Sequence, residues 1–162
     1  FEKLFSSVLI TGFMLIVTGL LLYISEKLAE TDKTISDFKY NNAIAVGVAQ
    51  GMAIIPGISR SGSTIVASLI QGLTREEAAR FSFLLSIPAI VGASMFKIKD
   101  ILHVSASGIS LVSLIMGIIA AAISGYIAIK YLLHILKKGS LSVFSYYCWT
   151  LGLIIIVLAG LF

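Results

Sequence analysis

Charge is what this 162-residue sequence has least of. Lys, Arg, Asp and Glu together make up 12% of it and hydrophobic residues 58%, against about 25% and about 45–50% in an ordinary soluble domain. That balance excludes a water-soluble globular domain and points to a bilayer. Cysteine is nearly absent: Cys148 stands alone, which excludes an intrachain disulfide. With no metal-ligand or redox spacing around it, Cys148 reads as a plain thiol in an apolar run. The two histidines, His103 and His134, fall in polar connections and read as surface residues. The net charge of +4 comes from scattered positions with no basic block or aromatic-interleaved patch, which excludes nucleic acid as a partner.

Long apolar runs are what the sequence has instead, and about 20 such residues cross a bilayer. Leu4–Ser25 holds 22 residues without a charge and makes the first crossing. It is too long, and too weakly basic at its start, for a cleaved signal peptide. Because the chain opens on Phe1, it reads as a piece of a longer protein. Glu26–Asn42, with seven charged residues, is an exposed connection. Beyond Leu73, Thr74 and Glu77 form a capping box that starts a helix running to about Phe96 and kinked at Pro88. Polar connections at 97–107 and 130–140 flank a crossing over 109–129, and 141–162 is the last crossing. Gly117, Ala121 and Gly125 put small residues on one face of the 109–129 helix, a pattern that permits close helix packing.

The stretch 43–73 is broken at Pro56-Gly57 and carries Arg60, and each half is shorter than a span. As a re-entrant hairpin it leaves eight basic residues on one side of the membrane and three on the other; as a full crossing it leaves six and five. The positive-inside rule selects the hairpin, with the eight-charge side cytoplasmic.

Arg60 is the sharpest residue of the chain. A guanidinium at membrane depth costs at least about 2.5–3.5 kcal/mol on insertion scales, so a partner must offset it. One partner is a carboxylate or a set of backbone carbonyls that lock two helices. The neighbours favour another. Pro56-Gly57 ends one helix, and Ser61 or Ser63 begins the next, with its free N–H groups facing the loop. Gly62 lets a ligand approach the backbone, and Ser59, Ser61, Ser63 and Thr64 supply hydroxyls. A cation, a helix N-terminus and hydroxyls make an anion site. Some of the hydroxyls also satisfy freed backbone groups, as Ser and Thr do in membrane helices. Gln50 stands where it bonds either a ligand or a neighbouring helix. Lipid phosphatases of the acid-phosphatase type require a histidine and an aspartate downstream of Ser-Arg, whereas this helix continues Ile65, Val66, Ala67, Ser68. Glu76 and Glu77 are explained by helix capping.

At these residues the sequence resembles a known family. Pro56-Gly57-Ile58-Ser59-Arg60-Ser61-Gly62-Ser63-Thr64 is similar to the Pro-Gly-x-Ser-Arg-Ser-Gly-x-Thr signature of the bacterial undecaprenyl-diphosphate phosphatases, also called bacitracin-resistance proteins. The likeness extends from Gln50-Gly51 through Phe81–Pro88 to the final crossings. It implies an all-α integral protein of the bacterial cytoplasmic membrane, built from two inverted repeats, each a re-entrant hairpin followed by three crossings. This chain then corresponds to the last crossing of the first repeat (4–25) and the whole second repeat: hairpin 43–73, then crossings 75–96, 109–129 and 141–162. The implied activity is hydrolysis of a polyprenyl diphosphate to its monophosphate in recycling of the cell-wall lipid carrier. Arg60 and Ser59 are the implied catalytic residues of this chain: Arg60 grips the diphosphate, and Ser59 contacts it, being a weak nucleophile without a base. Gln50, Gly57, Ser61, Gly62, Ser63 and Thr64 complete the binding set. The family's divalent cation, Mg or Ca, finds no ligands in this sequence, because the first-repeat motif that supplies its glutamates, serines and histidine has no counterpart here. The implied partners are the lipid diphosphate, the membrane, the missing N-terminal half and a second copy of the protein. Inverted repeats with broken helices also serve transporters, so a transporter or flippase for a phosphorylated lipid or anion is the alternative, with a non-catalytic scaffold behind it.

Overall fold

The computed structural model describes residues 7–105, 110–138 and 140–161. Helix α1 (Val8–Leu28) starts where Ser7 Oγ accepts the Ile10 amide at 3.3 Å. Its 21 residues rise about 31 Å, close to the thickness of the hydrocarbon core. The predicted residues 4–6 of this crossing lie outside the described residues. A 3₁₀ turn at Ile35–Asp37 leads into α2 (Tyr40–Met52) and, after a tight reversal, α3 (Arg60–Ile70). Three long helices follow: α4 (Arg75–Ser105), α5 (Leu111–Lys138) and α6 (Ser142–Leu161). Four helices are long and apolar enough to cross a membrane, namely α1, α4 over Arg75–Lys97, α5 over Val112–Lys137 and α6 over Ser142–Gly160. The described residues are thus all-helical, with four candidate crossings and one helix–loop–helix of shorter arms.

Two predicted connections are helical instead. The helix from Arg75 passes Phe96 and ends at Ser105, so His103 lies on a helix. No proline or glycine stands between Lys97 and Ser105, and polar side chains alone do not break a helix. The stretch 130–138 likewise continues α5, because Leu132, Leu133 and Leu136 keep an apolar face that packs on the core at the hairpin's foot, where Leu136 is buried. Pro88 sits inside α4 without ending it.

Helices α1 and α6 pack antiparallel through glycine. Gly12 lies against Gly152 and Ile156, and Gly19 against the Trp149 ring and the Ser145 carbonyl. Trp149 Nε1 donates to Ile16 O at 3.2 Å across this seam. Lipid offers little hydrophobic drive for helix association, so close packing of small residues does that work. The small-residue face of α5 behaves differently: a Cβ added at Gly117 or Gly125 meets nothing within 4 Å among the described residues.

The hairpin α2–α3 begins and ends at one level. At its foot Lys33 N donates to Gly72 O at 3.0 Å, and Thr74 N donates to Lys33 O at 3.0 Å. Lys33 Nζ adds a bond to Gln71 O at 3.0 Å, and Asn42 Nδ2 bonds Gln71 Oε1 at 2.6 Å. Thr74 caps α4 weakly, with Glu77 N at 3.4 Å from its hydroxyl. The reciprocal half of the expected capping box is not made, because the Glu77 carboxylate accepts the Ile35 amide at 3.2 Å instead. Glu26 ties the same end together: it pairs with Arg75 at 2.7 Å and accepts the Leu141 amide at 3.4 Å. The tip, by contrast, reaches Thr11, Met14 and Thr18 of α1, about 15–25 Å along that helix from its Leu28 end. Both ends of the hairpin thus lie at the Leu28 end of α1, with its tip part-way along that helix.

Candidate anion site at the hairpin tip

Helix α2 stops at Met52, where the Ala53 amide still bonds Ala49 O at 3.2 Å. Pro56, which has no amide hydrogen to offer a continuing helix, and Gly57 turn the chain. Gly57 has φ +90°, a conformation that suits glycine, and its Cα faces the Thr11 carbonyl and Met14 so closely that a side chain has no room.

Ser59 is the N-cap of α3 and Arg60 its first residue, one residue before Ser61 and three before Ser63, the starts that the sequence suggested. Ser59 Oγ accepts the Gly62 amide at 3.1 Å and lies 3.3 Å from Ser61 Oγ. Its own amide donates to Thr18 Oγ1 at 3.3 Å, while the Thr18 hydroxyl is shared between Met14 O at 3.0 Å and Gly57 O at 3.3 Å. Thr18, 2% exposed, therefore fixes both sides of the turn. The Ser63 amide returns to Ser59 O at 2.8 Å. The Arg60 and Ser61 amides, the first two of the helix, form no hydrogen bond among the described residues, and they sit at the positive end of the α3 dipole.

Arg60 is half-buried, and no carboxylate lies within ion-pair distance of it among the described residues. That leaves no ion pair to lock two helices through Arg60 here. The α3 N-terminus thus carries a cation, two free amides and the positive end of the helix dipole, without a fixed anion among the described residues.

The other candidates separate. Ser59, Ser61 and Gly62, with Thr18, wall one end of an apolar cavity of about 220 Å³. Gly62 is packed under Ser59 and the Thr18 methyl. Thr64 turns away: it is 1% exposed, bonds Arg60 O at 3.0 Å, and meets Ser82 Oγ of α4 at 2.6 Å. Gln50 and Ser63 are half-buried, and neither belongs to the cavity wall. Arg60 also stands outside that wall. The opposite walls are Leu132 of α5 and Leu141, Phe144, Tyr147 and Cys148 at the start of α6.

A divalent cation does not fit the tip. Its polar groups are a guanidinium, amides and hydroxyls, whereas hard cations take carboxylate and carbonyl oxygens. No group of three or more His, Cys, Asp and Glu side chains among the described residues is placed to hold a metal ion.

The sequence matches the family described as Bacitracin resistance protein BacA over residues 1–154. The chain belongs to this bacitracin resistance protein family. It is 61% identical over its whole length to the undecaprenyl-diphosphatase of Halothermothrix orenii, of which it covers 62%. It is 48% identical over 97% of its length to that of Alkaliphilus metalliredigens, of which it covers 57%. The undecaprenyl-diphosphatase of Methanothermobacter thermautotrophicus is 49% identical over 98% of the chain and is covered over 88% of its own length. The chain thus spans about three fifths of the first two relatives.

In this bacitracin resistance family member, two residues at the site escaped the sequence reading. Thr18 sits in an otherwise apolar crossing, and Ser82 lies about two turns into α4. The signal for Thr18 was present: Thr11, Thr18 and Ser25 recur every seven residues in α1, which puts three hydroxyls on one face.

Proposed function

We propose that this chain carries the diphosphate-binding part of a membrane phosphatase that hydrolyses undecaprenyl diphosphate to undecaprenyl phosphate and inorganic phosphate. The observation that carries this reading is Arg60. It opens α3 at the tip of a hairpin that turns back at membrane depth, and no carboxylate pairs with it among the described residues. A phosphoryl group there receives the guanidinium bidentately and the amides of Arg60 and Ser61 at the helix N-terminus. Those contacts offset the cost of a charge at that depth and neutralise the phosphate oxygens as the bond to the bridging oxygen breaks.

Ser59 has its hydroxyl engaged by the Gly62 amide and bonds no histidine or carboxylate among the described residues, so its role is to shape the turn and contact the ligand. Gly57 and Gly62 let the turn pack closely against α1 and Ser59, Ser61 is exposed at the tip, and Gln50 and Ser63 extend the polar surface around it. Thr64 supports the site from behind through Ser82. The apolar cavity beside Ser59 and Ser61 favours a ligand with a hydrocarbon tail over a free anion. In this reading the protein sits in the bacterial cytoplasmic membrane and serves the lipid carrier of cell-wall synthesis. The attacking water and the divalent cation are handled by groups outside the described residues, in the N-terminal half or in a second copy.

Phosphate release from undecaprenyl diphosphate by the full-length protein in detergent tests the reading. Stoichiometric release with accumulation of the monophosphate is the expected result. Tight binding of the lipid without release replaces hydrolysis with the transport reading.

A further inference from the structure

The cleft between the start of α4 and the end of α5 has a charged mouth over an apolar floor and a volume of about 650 Å³. Its mouth carries Arg80, Lys130 and Lys137 with a single carboxylate, Glu76. Glu76 bonds Arg80 at 2.8 Å and Lys137 at 3.2 Å. Lys130 has no carboxylate partner among the described residues, and its ammonium lies over the Tyr126 ring, 5.9 Å from the centroid. Three cations against one carboxylate leave two positive charges in excess. The Arg80 and Lys137 side chains are 50% and 53% exposed, so both present their charge to an incoming group.

The floor is made by Ile127 and Leu133 with the rings of Tyr126 and Tyr131. It continues onto the membrane window of α5, of which 0% is buried within the chain. Position matters as much as composition. Helix α4 begins and α5 ends at the level of the hairpin foot, where Glu77 meets Ile35, and this is the basic side of the molecule. Tyr131, about 10 Å along α5 from its Lys138 end, is an ordinary resident of a membrane interface.

We propose that this cleft docks the headgroup of an anionic bilayer phospholipid. Its phosphodiester is held by Lys130, Lys137 and Arg80, and its acyl chains lie along α5 below Tyr126. Charge complementarity selects an anion, and the apolar floor, running onto an apolar helix face that no other described residue covers, selects one that carries hydrocarbon. An acidic protein segment satisfies the first condition and not the second. The site is separate from the hairpin tip and shares no residue with it.

Native mass spectrometry of the full-length protein in a zwitterionic detergent tests this, with phosphatidylglycerol, phosphatidylcholine or inorganic phosphate added in turn. Phosphatidylglycerol is expected to be retained and phosphatidylcholine lost. Each neutralised lysine weakens binding about fivefold, so Lys130→Gln with Lys137→Gln gives roughly twenty-fivefold. Lys97→Gln, at the far end of the α4 span, changes nothing. Because Lys137 bridges to Glu76, Lys130→Gln alone is the safeguard against misfolding: it breaks no ion pair and still predicts the fivefold loss. The proposal is overturned if the double variant retains phosphatidylglycerol like the wild type, or if phosphatidylcholine binds equally. Displacement of the lipid by inorganic phosphate at equal concentration, or by a co-purified acidic protein, overturns it as well.

Discussion

The hydroxyl of Thr18, in the first crossing helix, accepts the amide of Ser59, the residue that caps the far arm of the hairpin, at 3.3 Å. Forty-one residues separate them, and the contact fixes the depth of the tip. Thr18→Val keeps the shape and removes the acceptor. It is expected to cost about 1–3 kcal/mol and to lower turnover at least about tenfold by displacing the α3 N-terminus, while Thr18→Ser keeps both. Turnover unchanged in the valine variant removes Thr18 from the positioning of the site.

Glu26 performs a similar task at the hairpin foot. Its side chain is 9% exposed and holds Arg75 and the first amide of the α6 turn. Arg75 is 37% exposed, and the water around it weakens the pair. Glu26→Ala is therefore expected to cost about 1–3 kcal/mol, read as a lower thermal midpoint in detergent. Glu26→Gln should recover part of that loss, because it still accepts the Leu141 amide. Equal destabilisation by the two variants contradicts the bridging role.

The α1–α6 seam has no room at Gly19. A Cβ there comes 2.6 Å from the Trp149 ring and 2.9 Å from Ser145 O. Gly19→Ala should destabilise by about 1–3 kcal/mol through overpacking. A variant as stable as the wild type means that the two helices are not this close.

How much of this was legible in the sequence follows from what each signal measures. The break at Pro56-Gly57 and the cation at Arg60 are local features, and they located the hairpin and its tip. The count of basic residues carried the choice of a re-entrant path. Helix ends were misplaced at Phe96 and Ile129 because polarity was taken as a breaker, although Lys and most other polar residues carry little helix penalty. Glu77 and Thr64 were assigned by short-range pattern and found long-range partners instead, Ile35 and Ser82, which no spacing reveals. The hydroxyl stripe at Thr11, Thr18 and Ser25 was readable in principle, but a heptad of hydroxyls gives no hint of what it faces.

Cys148, 8% exposed, forms part of the wall of the apolar cavity next to Ser59 and Ser61, so it can report on a lipid tail. In full-length protein whose other cysteines are replaced, farnesyl diphosphate should slow alkylation of Cys148 by N-ethylmaleimide, and inorganic diphosphate should not. Equal protection by both places the tail elsewhere.

The grip of Arg60 on a phosphate is the centre of the account. Binding of a non-hydrolysable methylene-linked polyprenyl diphosphonate to full-length protein measures that grip apart from chemistry. Arg60→Ala is expected to weaken binding by about 2–5 kcal/mol with the thermal midpoint of the unliganded protein kept, and Arg60→Lys to recover only part of the loss, because an ammonium cannot bond bidentately. An alanine variant that binds the diphosphonate as tightly as the wild type contradicts the account.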